Sequence, residues 1–346
     1  MVEVLTVDAE NPESELIERA AAALRNGKLV AFPTETVYGL GANALDGRAV
    51  TRIFTVKCRP SSDPLIVHIA SAELLPQVAC NLTPLVLELA AAFWPGPLTL
   101  ILPKQPAIPP QVTSGGETIA VRVPSNPIAQ ALLTASGLPV AAPSANRFGH
   151  TSPTTAIHVY NDFGDAIDLI IDGGKTEVGI ESTVLDLTLP MPTILRPGGV
   201  SREALAMALG TVALHAGIED AGTQRSPGLL ARHYSPNAEL IFYTNSDRSA
   251  VLPRMRRQVI EEISQGRQVG LLLVEEDLPF FDGLAVKIAS LGKSSDLRQA
   301  AQRLYSGIRD LDERLVEIIL ARDLGDVGLG LAIRDRLRRA ARRVVS

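Results

Sequence analysis

The chain has 346 residues, 33 Lys+Arg against 38 Asp+Glu, a net charge of −5, 46% hydrophobic and 21% charged residues. That length suits about two domains, and the composition is globular, which excludes a disordered chain or a coiled coil. Mild acidity argues against a protein that coats nucleic acid, though not against a local basic patch. The two cysteines, Cys58 and Cys80, form no CxxC motif, so neither a zinc ribbon nor a redox pair is written. The first ten residues carry three acids and no apolar core, unlike a signal peptide. The most apolar stretch, 82–102, is interrupted by Pro84, Glu88, Pro95 and Pro97, whereas a membrane span needs about 20 unbroken apolar residues. These readings predict a soluble cytoplasmic protein in a reducing compartment.

Along the chain, Asn11 as a cap, Pro12 in the first turn and Gly27 as a stop predict a first helix, with Leu16, Ala20, Ala23 and Leu24 at helical spacing. Short apolar runs predict buried strands at 29–32, 65–69, 98–102, 119–123, 139–142, 169–171, 183–187 and 193–195. Helices are expected at 85–93, 127–136 and 201–209. Several strands with few helices imply a mixed twisted sheet of the α/β class rather than a strict βαβ repeat. Composition shifts after Gly210, and the segment 226–236, SPGLLARHYSP, groups Arg232, His233 and Tyr234 between prolines. A pure spacer does not need those groups. Beyond it, strands at 240–243, 269–274 and 285–289 alternate with helical runs at 249–265, 296–310 and 329–344, a smaller doubly wound, Rossmann-like α/β domain. The expected organisation is a first domain over 1–214, a linker over 215–237 and a second domain over 238–346.

The familiar nucleotide motifs are absent. Gly174-Lys175-Thr176 ends like a P-loop, but the position five residues before Gly174 is Leu169. Gly325, Gly328 and Gly330 do not fit GxGxxG and read as a turn before the last helix. The histidines His68, His150, His158, His215 and His233 show no HExxH pairing, so a zinc catalytic site is not expected. What the chain does carry is a set of polar loops at strand ends. PTETVYGLGA (33–42) holds hydroxyls, a carboxylate and a tyrosine. VKCRPSSDPLIVHI (56–69) projects Lys57 and Arg59 from one short segment, a pattern that suits a polyphosphate as well as a solvated basic turn. Arg122 interrupts an apolar run in VRVP (121–124) and therefore needs an anion, either a structural carboxylate or a bound one. APSANRFGHTSPT (142–154) offers Ser144, Asn146, Thr151 and Ser152; GIESTVLD (179–186) and ILRPGGVS (194–201) complete the set, the last with Arg196. Ligands of open α/β sheets sit outside strand ends, where such loops gather.

The ordered segments PTETVYGLG, Lys57-x-Arg59-Pro60 with PLIVHI, WPGPLTLIL, VRVP, APSAN, GIESTV, LRPG and SPGLLARHYSP resemble the YrdC-like family. The whole chain is similar to its long two-domain form, most closely over about 13–236. The resemblance implies a threonylcarbamoyl-AMP synthase. Such an enzyme is a nucleotidyltransferase that condenses L-threonine, bicarbonate or CO2 and ATP to threonylcarbamoyl-adenylate and pyrophosphate. A separate transferase complex then modifies the adenosine beside the anticodon of certain tRNAs. Carried over to this sequence, the threonine site comprises Thr36, His68, Arg122, Ala142 and Ser182. The ATP site comprises Lys57, Arg59, Asp63, Thr118, Ser144, Asn146, Ser152, Arg196 and Tyr234. Mg2+ is implied on the polyphosphate, with no protein ligand assigned. Asp63 stands where the family usually has Asn; its carboxylate would repel phosphate unless it faces the metal or a ribose hydroxyl. A labile adenylate needs shielding from water, so the linker is expected to act as a lid that brings Tyr234 to the nucleotide. Arg334, Arg336, Arg338, Arg339, Arg342 and Arg343 near the C-terminus leave a contact with tRNA or double-stranded RNA open. Their alternative reading is a solvated helix face. Hydrogenase-maturation relatives, which transfer a carbamoyl group, share the fold but add zinc-binding and acylphosphatase-like segments that this cysteine-poor chain lacks.

Overall fold

The computed structural model describes residues 1–215, 225 and 233–346. Most of the expected lid, 216–224 and 226–232, therefore lies outside the described residues. The chain divides into two compact units. The first comprises Met1–Phe148, Ser152–Glu177 and the described residues of Glu181–Ala231; the second comprises Gly149–Thr151, Val178–Ile180 and the described residues of Arg232–Ser346.

In the first unit eleven strands build one sheet. They are β1 (Glu3–Thr6), β2 (Val30–Pro33), β3 (Tyr38–Asn43), β4 (Ile66–His68), β5 (Leu98–Pro103), β6 (Thr118–Arg122), β7 (Val140–Ala141), β8 (Leu169–Asp172), β9 (Thr183–Asp186), β10 (Thr193–Arg196) and β11 (Ala213–Leu214). Their order across the sheet is β1-β8-β2-β3-β7-β4-β6-β5-β9-β10-β11. Pairing is mixed: β4 runs parallel to β6 and antiparallel to β7, while β5 runs antiparallel to β6 and parallel to β9. The predicted mixed α/β sheet is thus what forms.

Side chains alternate between the two faces of a strand, and directly paired residues share a face. His68 pairs with both Arg122 and Val140, and Val67 with Val121 and Ala141. One face therefore presents Val67, Val121 and Ala141, which are buried with Ile53 of helix Gly47–Lys57, Leu89 of helix Pro84–Phe93 and Val159 of helix Ala156–Phe163. The opposite face is covered at one end by helices Ser14–Arg25 and Pro127–Ser136, packed on Phe32, Val140 and Ala142. Beside that region lies a small apolar patch drawn from strands alone, Ile66, Ile101, Ala120, Val184 and Leu195. His68 and Arg122 stand on this face.

Three local differences from the sequence reading have physical causes. The first helix begins at Ser14, with Glu13 at the cap position and no side-chain cap, so Asn11 and Pro12 lie outside it. The second half of the PTETVYGLG loop is strand β3. Its glycines serve close packing, since a Cβ at Gly41 would lie 2.8 Å from the Phe32 ring. Helix Gly47–Lys57 escapes the hydrophobic pattern because Arg48, Thr51, Arg52 and Thr55 dilute it; Asp46 caps it, accepting from the backbone N–H groups of Arg48 and Ala49. Lys57 thus sits on the last turn of a helix, not on a loop.

The second unit holds β12 (Glu239–Tyr243), β13 (Val269–Leu273), β14 (Lys287–Ser290), β15 (Ile318–Arg322) and β16 (Arg343–Val345), ordered β14-β13-β15-β12-β16 and parallel throughout. Helices Arg248–Ser264, Leu297–Glu313 and Leu329–Ala340 alternate with them, as expected of a doubly wound sheet. β15 has no counterpart in the sequence reading, and the last helix stops at Ala340 because residues 343–345 pair with β12.

Charges buried in this unit are matched. Asp277 is fully buried and accepts from Arg322 Nε at 2.5 Å and Arg248 Nε at 2.8 Å. Removing one partner of a buried pair strands the other, at a cost of about 3–5 kcal/mol. Asp277→Ala is therefore expected to lower the unfolding free energy, read from urea titration, by that amount, seen as a lower midpoint at unchanged slope. An unchanged midpoint would show that the pair contributes nothing.

Candidate active site

Arg122 closes β6 and is buried; it donates from Nη1 to Thr36 Oγ1 (2.9 Å) and from Nε to the Gly96 carbonyl (3.2 Å). Thr36 lies in the turn between β2 and β3. That turn is fixed by Thr34, whose hydroxyl donates to the Val37 carbonyl at 2.6 Å and lies 2.7 Å from Thr36 Oγ1. The turn also carries Glu35, 2% exposed, with Oε1 2.6 Å from Arg122 Nη2. Despite that approach, neither Glu35 oxygen nor Arg122 Nη2 finds a hydrogen-bond partner of good geometry. His68, paired with Arg122 in the sheet, stands edge-on to Phe32 at 6.2 Å. Burial first, and the Arg122 guanidinium second, push its imidazole down to about 3. Ala142 follows β7 and donates its N–H to the Ile66 carbonyl at 2.9 Å. The structure thus brings Thr36, His68 and Arg122 together, with Ala142 on the same face.

A second group surrounds Lys57. Its ammonium, buried on the last helical turn, donates to the Ser144 carbonyl at 2.7 Å and to the Asn146 carbonyl. This tie leaves one of its three donors. Burial, followed by the neighbouring Arg59 charge, pushes the Lys57 amine well below the usual lysine range. Ser144 Oγ donates to Asn146 Oδ1 at 2.5 Å, and the Ser144 backbone bridges Gly39 of β3. Arg59 donates to the carbonyls of Asp63 (2.9 Å) and Pro64 (2.8 Å), pairs with the Asp63 carboxylate at 3.0 Å and lies 6.0 Å from the Phe148 ring. Asp63 is fully enclosed. Burial pushes its carboxyl up, against the opposing pull of Arg59, Lys57 and Arg196.

Around β9, Ser182 Oγ lies 2.7 Å from Thr99 Oγ1, and Arg196 Nη2 donates to the Ser182 carbonyl at 3.0 Å. The turn after Arg196 packs tightly here: a Cβ on Gly198 would lie 2.3 Å from the Ser182 carbonyl carbon. Ser152 Oγ donates to Glu181 Oε1 at 2.6 Å. Thr118 lines a cleft of about 260 Å3 with Pro64, Leu65 and Arg225. Tyr234 belongs to the second unit, buried in a left-handed conformation, stacked on Tyr305 at 5.7 Å with Arg336 Cζ 5.0 Å from its ring. Within that unit Thr151 Oγ1 donates to its carbonyl at 3.2 Å. Of the C-terminal arginines, Arg334 pairs with Asp323 and Asp326, and Arg336 and Arg339 are buried on Asp335. Arg338, Arg342 and Arg343 are exposed. Among the described residues no cluster of three or more His, Cys, Asp or Glu could hold a metal ion, and no helix is long and apolar enough to cross a membrane.

Sequence reasoning left two residues unnamed, Glu35 and Glu181. Their signal was present: an acid within a run of small hydroxyl residues, at 34–36 and 181–183.

Two family models match. One, Sua5_yciO_yrdC, described as telomere recombination, covers residues 22–198; the other, the C-terminal domain of threonylcarbamoyl-AMP synthase, covers 200–342. The threonylcarbamoyl-AMP synthase of Pyrococcus abyssi is 43% identical over 96% of both chains. That of Bacillus subtilis is 44% identical over 94% of this chain and 92% of its own. The chain belongs to the two-domain threonylcarbamoyl-AMP synthase family. A crystal structure of P. abyssi Sua5 complexed with L-threonine superposes on it with a TM-score of 0.93 at 42% identity, covering 99% of this chain and 98% of that one. The two-domain α/β architecture is therefore that of the synthase family over essentially the full length.

The neutral state of His68 has a consequence for stability. Its ordinary value is 6.5 and its folded value about 3. Between these, the unfolded chain binds a proton that the folded one does not. This residue therefore costs no stability above pH 6.5, and below it removes up to about 1.4 kcal/mol per pH unit. His68→Asn should flatten the pH dependence of the denaturation midpoint between pH 6.5 and 5. An equal slope in parent and variant would contradict the buried neutral imidazole.

Proposed function

We propose that the chain condenses L-threonine, bicarbonate or CO2 and ATP to threonylcarbamoyl-adenylate and pyrophosphate, supplying a transferase complex that modifies tRNA in the cytoplasm. The observation that carries this reading is Arg122. It is a buried guanidinium held by Thr36 and in charge contact with Glu35, and its Nη2 still lacks a well-directed hydrogen bond. A guanidinium of this kind suits a forked pair with a carboxylate. Full-length kinship with named synthases supports the same assignment.

In this reading Thr36, His68, Arg122, Ala142 and Ser182 form the threonine pocket, with Arg122 taking the carboxylate and Ala142 acting through its backbone. The threonine amine adds to the one-carbon unit, the carbamate oxygen attacks the α-phosphorus, and pyrophosphate leaves. Such a transfer asks mainly for positioning and charge neutralisation. Lys57, Arg59 and Arg196 supply the charge; Thr118, Ser144, Asn146 and Ser152 supply hydrogen bonds. Magnesium normally rides on substrate phosphates with one or two carboxylates. The ion would neutralise polyphosphate charge.

Two measurements test the assignment. Arg122→Ala should cost about 2–4 kcal/mol of threonine affinity by calorimetry, with ATP binding much less affected; unchanged threonine affinity removes Arg122 from the pocket. Lys57→Ala and Arg59→Ala should each slow pyrophosphate release while threonine binding persists. Parental turnover in both at subsaturating ATP would refute the phosphate assignment.

A further inference from the structure

We infer that Glu35 recognises the α-ammonium of the amino acid substrate and accepts its proton when the amine becomes the nucleophile. The inference rests on the reading of Arg122 as the carboxylate site. Glu35 and Arg122 approach at 2.6 Å, both with side chains 3% exposed. Yet both Glu35 oxygens and Arg122 Nη2 lack a well-directed hydrogen bond. The contact is one of charge, with its hydrogen-bonding capacity unspent. In a buried setting such a pair is poorly compensated, because ion pairing offsets desolvation only when the remaining donors and acceptors are also satisfied.

A free α-amino acid supplies the missing groups. Its carboxylate complements Arg122 and its ammonium complements Glu35, so one ill-directed pair is exchanged for two directed ones. A carboxylic acid without an amine would take Arg122 but leave Glu35 facing a second anion. An amine without a carboxylate would leave Arg122 stranded. The pair therefore selects the zwitterion. His68, neutral at ordinary pH, adds no second cation to draw the carboxylate away.

The same carboxylate sits where a proton must go. An ammonium nitrogen has no electron pair to attack carbon. One N–H bond breaks toward Glu35, and the freed pair forms the N–C bond to bicarbonate. The bicarbonate C–OH bond breaks, and its oxygen leaves as water with a second proton from nitrogen. The balance is threonine ammonium, bicarbonate and Glu35 carboxylate giving carbamate, water and Glu35 carboxylic acid, with net charge conserved.

The test uses the full-length protein with Glu35→Gln, which keeps shape and removes charge. L-threonine and 3-hydroxybutyrate, its counterpart without the amine, are titrated by calorimetry. The parent should prefer threonine. The variant should bind threonine about 10- to 100-fold more weakly, and 3-hydroxybutyrate at least as well as the parent does. Its pyrophosphate release at saturating threonine should fall near pH 7 and recover toward pH 9, as solution supplies free amine. Unchanged threonine affinity and rate, equal loss of both ligands, or a parent without preference between them would overturn the inference. Arg122→Ala separates the underlying reading: it should lose both ligands, and if it binds both normally, the carboxylate site is elsewhere whatever Glu35 does. Should the Gln variant not fold, Glu35→Asp must still prefer threonine over 3-hydroxybutyrate, and absence of that preference overturns the inference equally.

Discussion

A guanidinium cannot be buried in a β-sheet without an anion nearby, and the first unit is arranged around that constraint. Arg122 takes its place by the period of two that puts Val121 into the helix-covered core and Arg122 opposite it. Toward β2 and β7, the face it shares with His68 is covered by helices Ser14–Arg25 and Pro127–Ser136. The strand-only patch of Ile66, Ala120 and Val184 lies beside it. All of these residues are buried, so the guanidinium stands in a dry setting. The anion comes from the adjacent turn, where Thr34 fixes the backbone that carries Glu35 and Thr36.

The remaining polar groups act mainly on one another. Lys57 ties the end of a helix to the Ser144–Asn146 loop through two carbonyls. Arg59 closes its own loop on Asp63 and Pro64, and Arg196 holds the Ser182 backbone while Gly198 lets the two chains approach. Each cation therefore has a structural partner before any ligand arrives. Side chains held this way lose little freedom on binding, which is the advantage of a prearranged site. Carbonyl partners suit the task, since a carbonyl offers a second lone pair and does not neutralise the charge it positions.

This division explains what the sequence made legible. Strands such as 98–102 and 119–123 announce themselves because both of their faces carry apolar residues over most of their length. β3 does not, since its glycines look like turn residues until Phe32 and Val140 are seen pressing on Gly41. Helix Gly47–Lys57 hides because its core-facing Ala49, Val50, Ile53, Phe54 and Val56 alternate with Arg48, Thr51, Arg52 and Thr55. Isolated cations within apolar or proline-broken runs marked Lys57, Arg59, Arg122 and Arg196 as site candidates. Their partners were not legible, because the pairs Arg122–Glu35 and Ser152–Glu181 join residues 87 and 29 positions apart in sequence. Linear spacing encodes neither.

Asp63 shows why such partners matter. A carboxylate beside polyphosphate looks misplaced when only the ligand is considered. In the folded chain Lys57, Arg59 and Arg196 all act on it electrostatically, and Arg59 touches it at 3.0 Å. Its carboxylate stands among these buried cations and offsets their mutual repulsion, which is felt strongly in a medium of low dielectric. Glu35 stands to Arg122 as Asp63 stands to Arg59. In both places a fixed carboxylate offsets a cation that the substrate's own anion is proposed to meet. The two differ in freedom: Asp63 is locked four residues from its partner on one loop, whereas Glu35 reaches Arg122 from a different turn and contacts it without directed hydrogen bonds. The looser pair is the one a ligand could part, whereas Asp63 gives Arg59 steady charge compensation.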